Sequence, residues 1–490
     1  MLARLRSAAV FGVEAYPVQI EVDVSFGLPS FTMVGLPDAT VRESRDRVRL
    51  AIRNSGLEFP PHRITVNLAP ADVRKGGSSF DLPIALGVLA TSGLVSAERL
   101  DHTLVLGELS LDGGINAIRG VLPIAVAARR LGLTRLLLPP QNAPEASVVE
   151  GLHVWVVKSL VEAQEVLNKP EDATTRLASS PAPSPPSTEA GDLSEVRGQL
   201  FTRRALEVAA AGGHNLLLIG PPGAGKTMMA RRLAGILPPL SFEEALECTS
   251  IHSVAGTLPP GTGLMTTRPF RAPHHSISDV ALVGGGTAPR PGEISLAHNG
   301  VLFLDEIPEF DRRVLESLRQ PLEEGRVVIA RAARTAVFPS RFVLVAAMNP
   351  CRCGFLGDDR RACRCTPTQV AAYRGRLSGP LRDRIDMVVE VPAVPVSVLA
   401  DERPGESSDS VRTRVVAARS FRPVHGVGAS PCRLDAAGRS LLLTAAKRLA
   451  LSARAYHRVL RVSRTIADLA GAANVAREHV AEALQYRIAD

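Results

Sequence analysis

The stretch "GPPGAGKT", Gly220 to Thr227, has the spacing G-x-x-x-x-G-K-T and lies between the apolar run "NLLLIG" and the helix-like run "MMARRLAGIL". That pattern binds phosphate. Glycines at 220, 223 and 225 let the backbone wrap an anion with its N–H groups, and Pro221, Pro222 and Ala224 complete the loop. The helix that follows directs its positive end at the same anion. Lys226 would reach the β and γ phosphates, and the Thr227 hydroxyl would ligate Mg²⁺. A chance glycine-rich turn would lack the strand before it and the helix after it.

Two further polar groups stand at the ends of apolar runs. "VLFLDE" reads as a buried strand ending in Asp305 and Glu306. Asp305 can hold Mg²⁺ directly or through water, and Glu306 can orient and deprotonate an attacking water. Alone, such a pair is more often a helix N-cap. Behind an upstream phosphate loop it points to hydrolysis of a nucleotide rather than binding alone. "AAMNP" delivers Asn349 at the end of a third strand, where it can hold the water or the γ-phosphate, open an Asn-Pro turn, or do both.

Directly after Asn349 comes "CRCGFLGDDRRACRC", with four of the six cysteines in fifteen residues. Cys351, Cys353, Cys363 and Cys365 form two C-x-C pairs that could give four thiolates to one structural Zn²⁺. The spacing is tighter than the usual C-x-x-C knuckle, so a metal-free polar loop and a disulfide stay open as alternatives. Gly354 and Gly357 would let the loop between the pairs turn sharply. Cys248 and Cys432 are isolated and read as packing residues.

These groups need a scaffold, and 490 residues suffice for two or three domains. "NKPEDATTRLASSPAPSPPSTEAGDLSE", residues 168–195, is rich in Pro, Ser, Ala and Thr without hydrophobic period, and reads as a flexible linker. Before it, residues 1–167 mix strand-like stretches ("PVQIEVDVSF", "RITVNLAP", "LLLPP", "LHVWVV") with helical ones that stop near glycine ("ATVRESRDRVRLAIRNSG", "LPIALGVLATSG", "LPIAVAARRLG"). After it, strands alternate with helices over 196–400 as in a parallel sheet, and 401–490 is essentially helical. The fold class read from this is α/β, with both α/β and α+β open for residues 1–167.

No window is apolar enough for a membrane helix, and the briefly basic N-terminus is broken by Glu14 and Tyr16, so it reads as a first strand. A cytoplasmic protein is expected. The net charge is +8, yet from Arg412 to Asp490 fourteen Lys/Arg face five Asp/Glu, so the remainder is close to neutral. The segment from Arg352 to Arg384 is basic too, with eight arginines and three aspartates. Solvated helix faces and a footprint for DNA or RNA both explain this.

With phosphate loop, Asp-Glu strand and Asn349 in this order, the sequence resembles the AAA+ ATPases, specifically the magnesium-chelatase-like ComM/YifB family. The match is carried by "RPFRAPHHSISDVALVGGG", "PRPGEISLAHNGVLFLDEIPEF", "LRQPLEEGRVVIARA", "AAMNPCRCG", "GPLRDRIDMVVEVP" and "SARAYHRVLRVSRTIADLAG". The resemblance implies an AAA+ P-loop parallel sheet with a helical lid, plus an N-terminal Lon-protease-like α/β domain. It also implies a ring, a hexamer, in which Arg384 is the finger offered to a neighbour's γ-phosphate, with Arg382 in reserve; a surface salt bridge is the alternative for either. Arg454 matches the second sensor, which touches nucleotide in its own subunit. Arg458, one turn later, could share or take over that task. The segment "RAPHHSISDVALVGGGTAPRPGE" corresponds to an insertion that can point into the ring's pore, with Gly284 to Gly286 permitting a tight hairpin. His274 and His275 within it read as structural.

"RKGGSSFDLPIALGVLA" and "GELSLDGGINAIRGVLPIAVAARRLG" carry the Lon-like resemblance. Ser79 falls at the nucleophile position, but Leu122 and Ile124 stand where the base lysine would be. Proteolysis is therefore not expected. Lys75 reads as a loop lysine or a phosphate contact. The implied activity is that of an ATP-driven DNA motor acting on single-stranded or branched DNA, extending joints during natural transformation. The alternative is a magnesium-chelatase motor subunit that remodels a protein partner. A transcription activator of the enhancer-binding type is disfavoured, since no GAFTGA loop is present.

Overall fold

The computed structural model describes residues 2–71, 73, 75–169, 191–286, 289–330, 334–358, 361–395, 398, 405–421 and 432–487. Its N-terminal strands are β1 (Leu2–Phe11), β2 (Glu14–Ser25), β3 (Ser30–Val34), β4 (Arg63–Ala69), β5 (Thr103–Val105), β6 (Glu108–Leu109), β7 (Ile115–Asn116), β8 (Arg135–Leu138) and β9 (His153–Val156). Seven of them make one mixed sheet in the order β3-β4-β2-β1-β5-β8-β9. The β1–β2–β4 ladder is antiparallel, while β5, β8 and β9 run parallel to β1. The alternation in β1 decides its faces: Leu2, Arg4 and Arg6 face solvent, while Ala3 and Leu5 are buried. The helix Asp81–Thr91 has no polar stripe and is buried along almost its whole length against β1 and β2.

Residues 170–190 of the expected linker lie outside the described residues. Its last stretch departs from the expectation, for residues 193–195 form a 3₁₀ turn closed by a capping box between Asp192 and Glu195. Leu193 is buried there, and its N–H donates to Ser408 Oγ at 2.7 Å. Two carboxylate-capped N–H groups and one buried leucine suffice to order a segment that composition alone reads as loose.

The later strands are β10 (Leu216–Ile219), β11 (Phe270–Arg271), β12 (Gly284–Gly285), β13 (Arg290–Pro291), β14 (Val301–Leu304), β15 (Arg326–Ala330), β16 (Thr335–Pro339), β17 (Val343–Met348) and β18 (Met387–Glu390). Five form a wholly parallel sheet in the order β11-β14-β17-β10-β18. β10, β14 and β17 are buried at every position, as strands covered on both faces must be. Because β17 lies between β10 and β14, the three loops that leave their C-terminal ends share one rim. The antiparallel pair β12–β13 is the hairpin expected of the insertion; residues 287 and 288 at its tip are outside the described set.

Helices Ser408–Phe421, Ala436–Arg448, Ala453–Leu469 and Arg477–Gln485 follow. The last one ends beside the edge strand, where Val388 N–H donates to the Tyr486 carbonyl at 2.8 Å. That bond covers an otherwise open sheet edge. The N-terminal sheet unit touches the parallel one through a buried carboxyl: Ser253 Oγ donates to Glu145 Oε2 at 2.5 Å, and Gly120 N–H donates to the Ser253 carbonyl at 3.1 Å.

Candidate nucleotide-binding site

The loop 220–225 leaves β10 and runs straight into the helix Lys226–Ile236. Glycine is required at its start by crowding, since a Cβ on Gly220 would stand 2.2 Å from the Val391 carbonyl oxygen. At Gly225 it is required by a φ of +86°. Pro221, Pro222, Gly223 and Ala224 lie between, and Ala224 is buried. The helix N-terminus therefore opens onto the loop with unpaired N–H groups, a ready anion cradle.

Lys226 is buried, and its ammonium donates to the carbonyls of Gly220 at 2.7 Å and Pro221 at 3.0 Å and to Asn349 Oδ1 at 3.1 Å. Burial lowers its pKa, opposed by the nearby carboxylates of Asp305 and Glu306. The Thr227 hydroxyl donates to Asp305 Oδ2 at 2.7 Å. Neighbouring oxygen ligands of an octahedral Mg²⁺ stand about 3.0 Å apart, from metal–oxygen distances near 2.1 Å, so this pair has the spacing and hard-oxygen chemistry to hold that ion. Glu306 is exposed and adopts φ +50°, the left-handed region that a residue with a Cβ enters at a cost of about 1 kcal/mol. Such strain often accompanies function. The structure thus brings two hydrogen-bonded pairs, Lys226 with Asn349 and Thr227 with Asp305, side by side on the rim through the adjacent residues 226 and 227, with Glu306 next to Asp305.

The four clustered cysteines also converge. Their Sγ atoms all lie within 4.8 Å of one another. Cys351 Sγ is 3.4 Å from that of Cys353 and 3.7 Å from that of Cys363, and the latter two are 3.6 Å apart. A tetrahedral Zn²⁺ with Zn–S near 2.3 Å sets sulfurs about 3.8 Å apart. The fit is close, and at these separations all four are free cysteines, not joined as a disulfide, whose sulfurs lie about 2.05 Å apart. Backbone N–H groups of Arg364 and Phe355 pull the Cys353 thiol below its usual pKa, and Cys365 N–H donates to Cys363 Sγ at 3.4 Å. N–H donors aimed at sulfur are what thiolate ligands need around them. Cys248 and Cys432 bond carbonyls instead, those of His298 and Leu460, and burial pushes their thiols up to about 12 and about 11.

The arginines lie apart from this cluster. Arg384 is bonded within its own chain to Glu323 and, at 2.5 Å, to the Pro380 carbonyl, while its buried Nε has no partner among the described residues. It lines a cavity of about 490 Å³ with Glu316, Gln320 and Glu323, and no phosphate-loop residue takes part. Arg382 ends the short helix Gly379–Arg382. Arg458 sits 3.8 Å from Asp386, which caps the start of β10 by accepting from Asn215 N–H at 2.9 Å. That is the N-terminal edge of the sheet, about 13 Å of strand away from the phosphate loop, so the structure does not bring Arg458 together with Lys226. Arg454, one turn earlier, is exposed and bonded to nothing among the described residues.

Sequence reasoning missed two partners here. Glu323 carries no spacing signal linking it to Arg384, sixty-one positions later. Asp386 lies in a quoted motif, but only the fold shows it gathering Asn215 and Arg458. Lys75 lies, as a loop lysine would, in the connection between β4 and the helix Asp81–Thr91, but it is fully buried with its ammonium donating to the Pro70 carbonyl, so it is not placed to meet a phosphate. Leu122 and Ile124 are buried in the helix Val121–Arg130, where they cannot replace a base for Ser79. His274 and His275 stack at 4.0 Å, and His275 packs on Phe310. Among the described residues they join no group of three metal-ligating side chains.

Models of known families match nearly the whole chain. "Magnesium chelatase, subunit ChlI" covers residues 192–399, its C-terminal counterpart covers 405–487, and "Subunit ChlI of Mg-chelatase" covers 20–142. The protein YifB of Salmonella typhimurium is 46% identical over 100% of this chain and 97% of its own length. Competence protein ComM of Haemophilus influenzae is 45% identical over 99% of this chain and 97% of its own. The magnesium-chelatase 38 kDa subunit of Rhodobacter capsulatus is 25% identical over 59% of this chain and 84% of its own length. Full-length identity at this level, together with the phosphate-loop rim described above, means that the chain belongs to the YifB/ComM family of magnesium-chelatase ChlI-like proteins.

Proposed function

We propose that this protein is a cytoplasmic ATPase of AAA+ type that assembles as a ring, a hexamer, and uses ATP hydrolysis to move single-stranded or branched DNA. Its task would be branch migration, extending the joint between incoming single-stranded DNA and a resident duplex during natural transformation. The observation that carries the hydrolytic part is the bonded rim of Lys226, Asn349, Thr227 and Asp305, with Glu306 beside it. The DNA part is supported by near full-length likeness to a protein named for competence and by the excess of basic residues after Arg412.

In this reading the N–H groups of 220–227 cradle the phosphates and Lys226 balances their charge. Thr227 and Asp305 hold Mg²⁺, which supplies charge neutralisation when bound. Glu306 takes the proton as the water oxygen bonds to the γ-phosphorus and the bond to the β-phosphate oxygen breaks, and Asn349 fixes the water or the γ-phosphate. Arg384 from an adjacent subunit stabilises the charge that builds on the transferring group, and Arg454 serves as the second sensor. Cys351, Cys353, Cys363 and Cys365 hold a structural Zn²⁺. The domain layout is 1–167, a linker, an ATPase core to about residue 400, and a helical C-terminal lid.

The chelatase reading stays as the runner-up because a magnesium-chelatase subunit matches 59% of this chain. The N-terminal domain does not separate the two readings, since the model that matches residues 20–142 is itself named for the chelatase subunit. ATP turnover with and without forked DNA separates them. The motor reading expects stimulation by DNA, abolished by Lys226→Ala; turnover indifferent to DNA, with no DNA bound, would sink it.

A further inference from the structure

The cysteine knot touches the nucleotide rim at two points. It is joined to it covalently, since Cys351 follows Asn349 after a single proline, and Asn349 Oδ1 accepts from the Lys226 ammonium at 3.1 Å. It also leans on the phosphate loop. Gly354 has φ +86°, its N–H donates to the Cys351 carbonyl at 3.0 Å, and a Cβ placed on it would stand 2.8 Å from Pro222 Cδ. Pro222 is the third residue of the loop that cradles phosphate. The turn between Cys351 and Cys353 thus props the loop from outside, while Asn349 grips Lys226 from within. Arg374 Nε donates to the Pro350 carbonyl at 3.3 Å and anchors the knot's stem on the helix Pro367–Arg374.

We propose that the four thiolates form a divalent-metal site of the zinc class whose role is to hold the phosphate loop of its own subunit in its binding shape. Metal occupancy then sets nucleotide affinity. The physical ground is that C-x-C turns separated by nine residues have little apolar surface to fix them: Cys353, Cys363 and Cys365 are only half-buried, and Cys351 alone is fully so. Without a metal, four sulfurs within 4.8 Å have no strong bond to keep them there. A knot that loosens withdraws Gly354 from Pro222 and frees the stem that carries Asn349. The inference rests on reading 220–227 as the nucleotide site.

The test uses the full chain. Zinc content is measured on purified protein, Co²⁺ is exchanged in to look for the charge-transfer band of thiolate coordination, and affinity for a fluorescent ATP analogue is titrated on loaded and chelator-stripped samples. Circular dichroism follows the fold throughout. The expected result is about one zinc per chain, a thiolate–Co²⁺ band, and nucleotide binding weakened by about tenfold or more on stripping and restored by Zn²⁺. Because stripped protein can unfold, Gly354→Ala provides the second arm. It keeps all four thiolates but forces a methyl onto Pro222, and should retain the metal while binding nucleotide about tenfold more weakly. Zinc present in the purified protein, with nucleotide affinity unchanged both by stripping and by Gly354→Ala, overturns the coupling. The absence of zinc and of the Co²⁺ band overturns the site itself. Loaded protein that binds no nucleotide at all would instead refute the reading of 220–227.

Discussion

Lys226 Nζ donates to Asn349 Oδ1 at 3.1 Å across 123 positions of sequence. The bond exists because β17, which ends one residue before Asn349, is hydrogen-bonded directly to β10, whose end opens the phosphate loop. Lys226→Ala should therefore abolish ATP binding. Asn349→Ala should leave binding within about tenfold while lowering kcat by about 10²-fold, as loss of one positioned polar group does. Equilibrium titration beside steady-state turnover separates the two effects. Equal losses in binding for both variants would deny Asn349 a role in the chemical step.

Glu306 stands one residue beyond the Asp305 carboxylate that bonds Thr227. Glu306→Gln keeps its size and removes its basicity. ATP binding should persist while turnover falls by about 10²–10⁴-fold. A single-turnover assay reads this directly, and full activity in the variant would move the base elsewhere.

Arg384 is held by Glu323 in its own chain. For a finger used in a neighbour's site that bond must give way or serve to aim the guanidinium. Arg384→Ala should lower turnover by about 10³-fold while its own subunit still binds nucleotide. Mixing it with Lys226→Ala should recover part of the activity, since some interfaces then pair an intact loop with an intact finger. No recovery at any mixing ratio would count against a role in trans.

Glu406 forms a two-pronged ion pair with Arg414, which also reaches the buried Glu207 at 2.6 Å. The hydrogen bond from Arg414 holds the Glu406 carboxyl down at about 2, against 4.5 for the free group. A depressed carboxyl adds stability above its unfolded pKa and loses it as pH falls toward the folded value. Both side chains are well exposed, so Glu406→Gln should cost only about 1 kcal/mol at pH 7. Urea unfolding should show that difference shrinking below pH 4.5 and vanishing near pH 2. A pH-independent difference would assign the effect to packing.

Much of this site could be read directly from the sequence, for a physical reason. Runs such as "LLLI" and "VLFL" have no polar face, so they can only be buried parallel strands, and the residue that ends each is forced to the rim. The glycines of 220–225 announce a loop no other residue could form. What could not be read was strand order, because pairing of β17 between β10 and β14 leaves no mark in local pattern. Helical spacing put Arg454 and Arg458 on one face, yet it cannot tell which end of the sheet that face meets; Asp386 decides that for Arg458. Gly354 looked like a turn residue only, and its contact with Pro222 needed the folded loop. Lys75 read as a loop lysine or a phosphate contact; its burial and its bond to the Pro70 carbonyl come from the tertiary fold, which local sequence does not carry.

In the proposed motor, hydrolysis at Lys226 and Glu306 drives DNA strands past one another. The most direct measurement is migration of a labelled three-stranded joint, followed on native gels with ATP. The intact protein should extend the joint, Lys226→Ala and Glu306→Gln should not, and a nonhydrolysable ATP analogue should not support extension. Unmoved joints in the presence of brisk ATP turnover would contradict the motor reading.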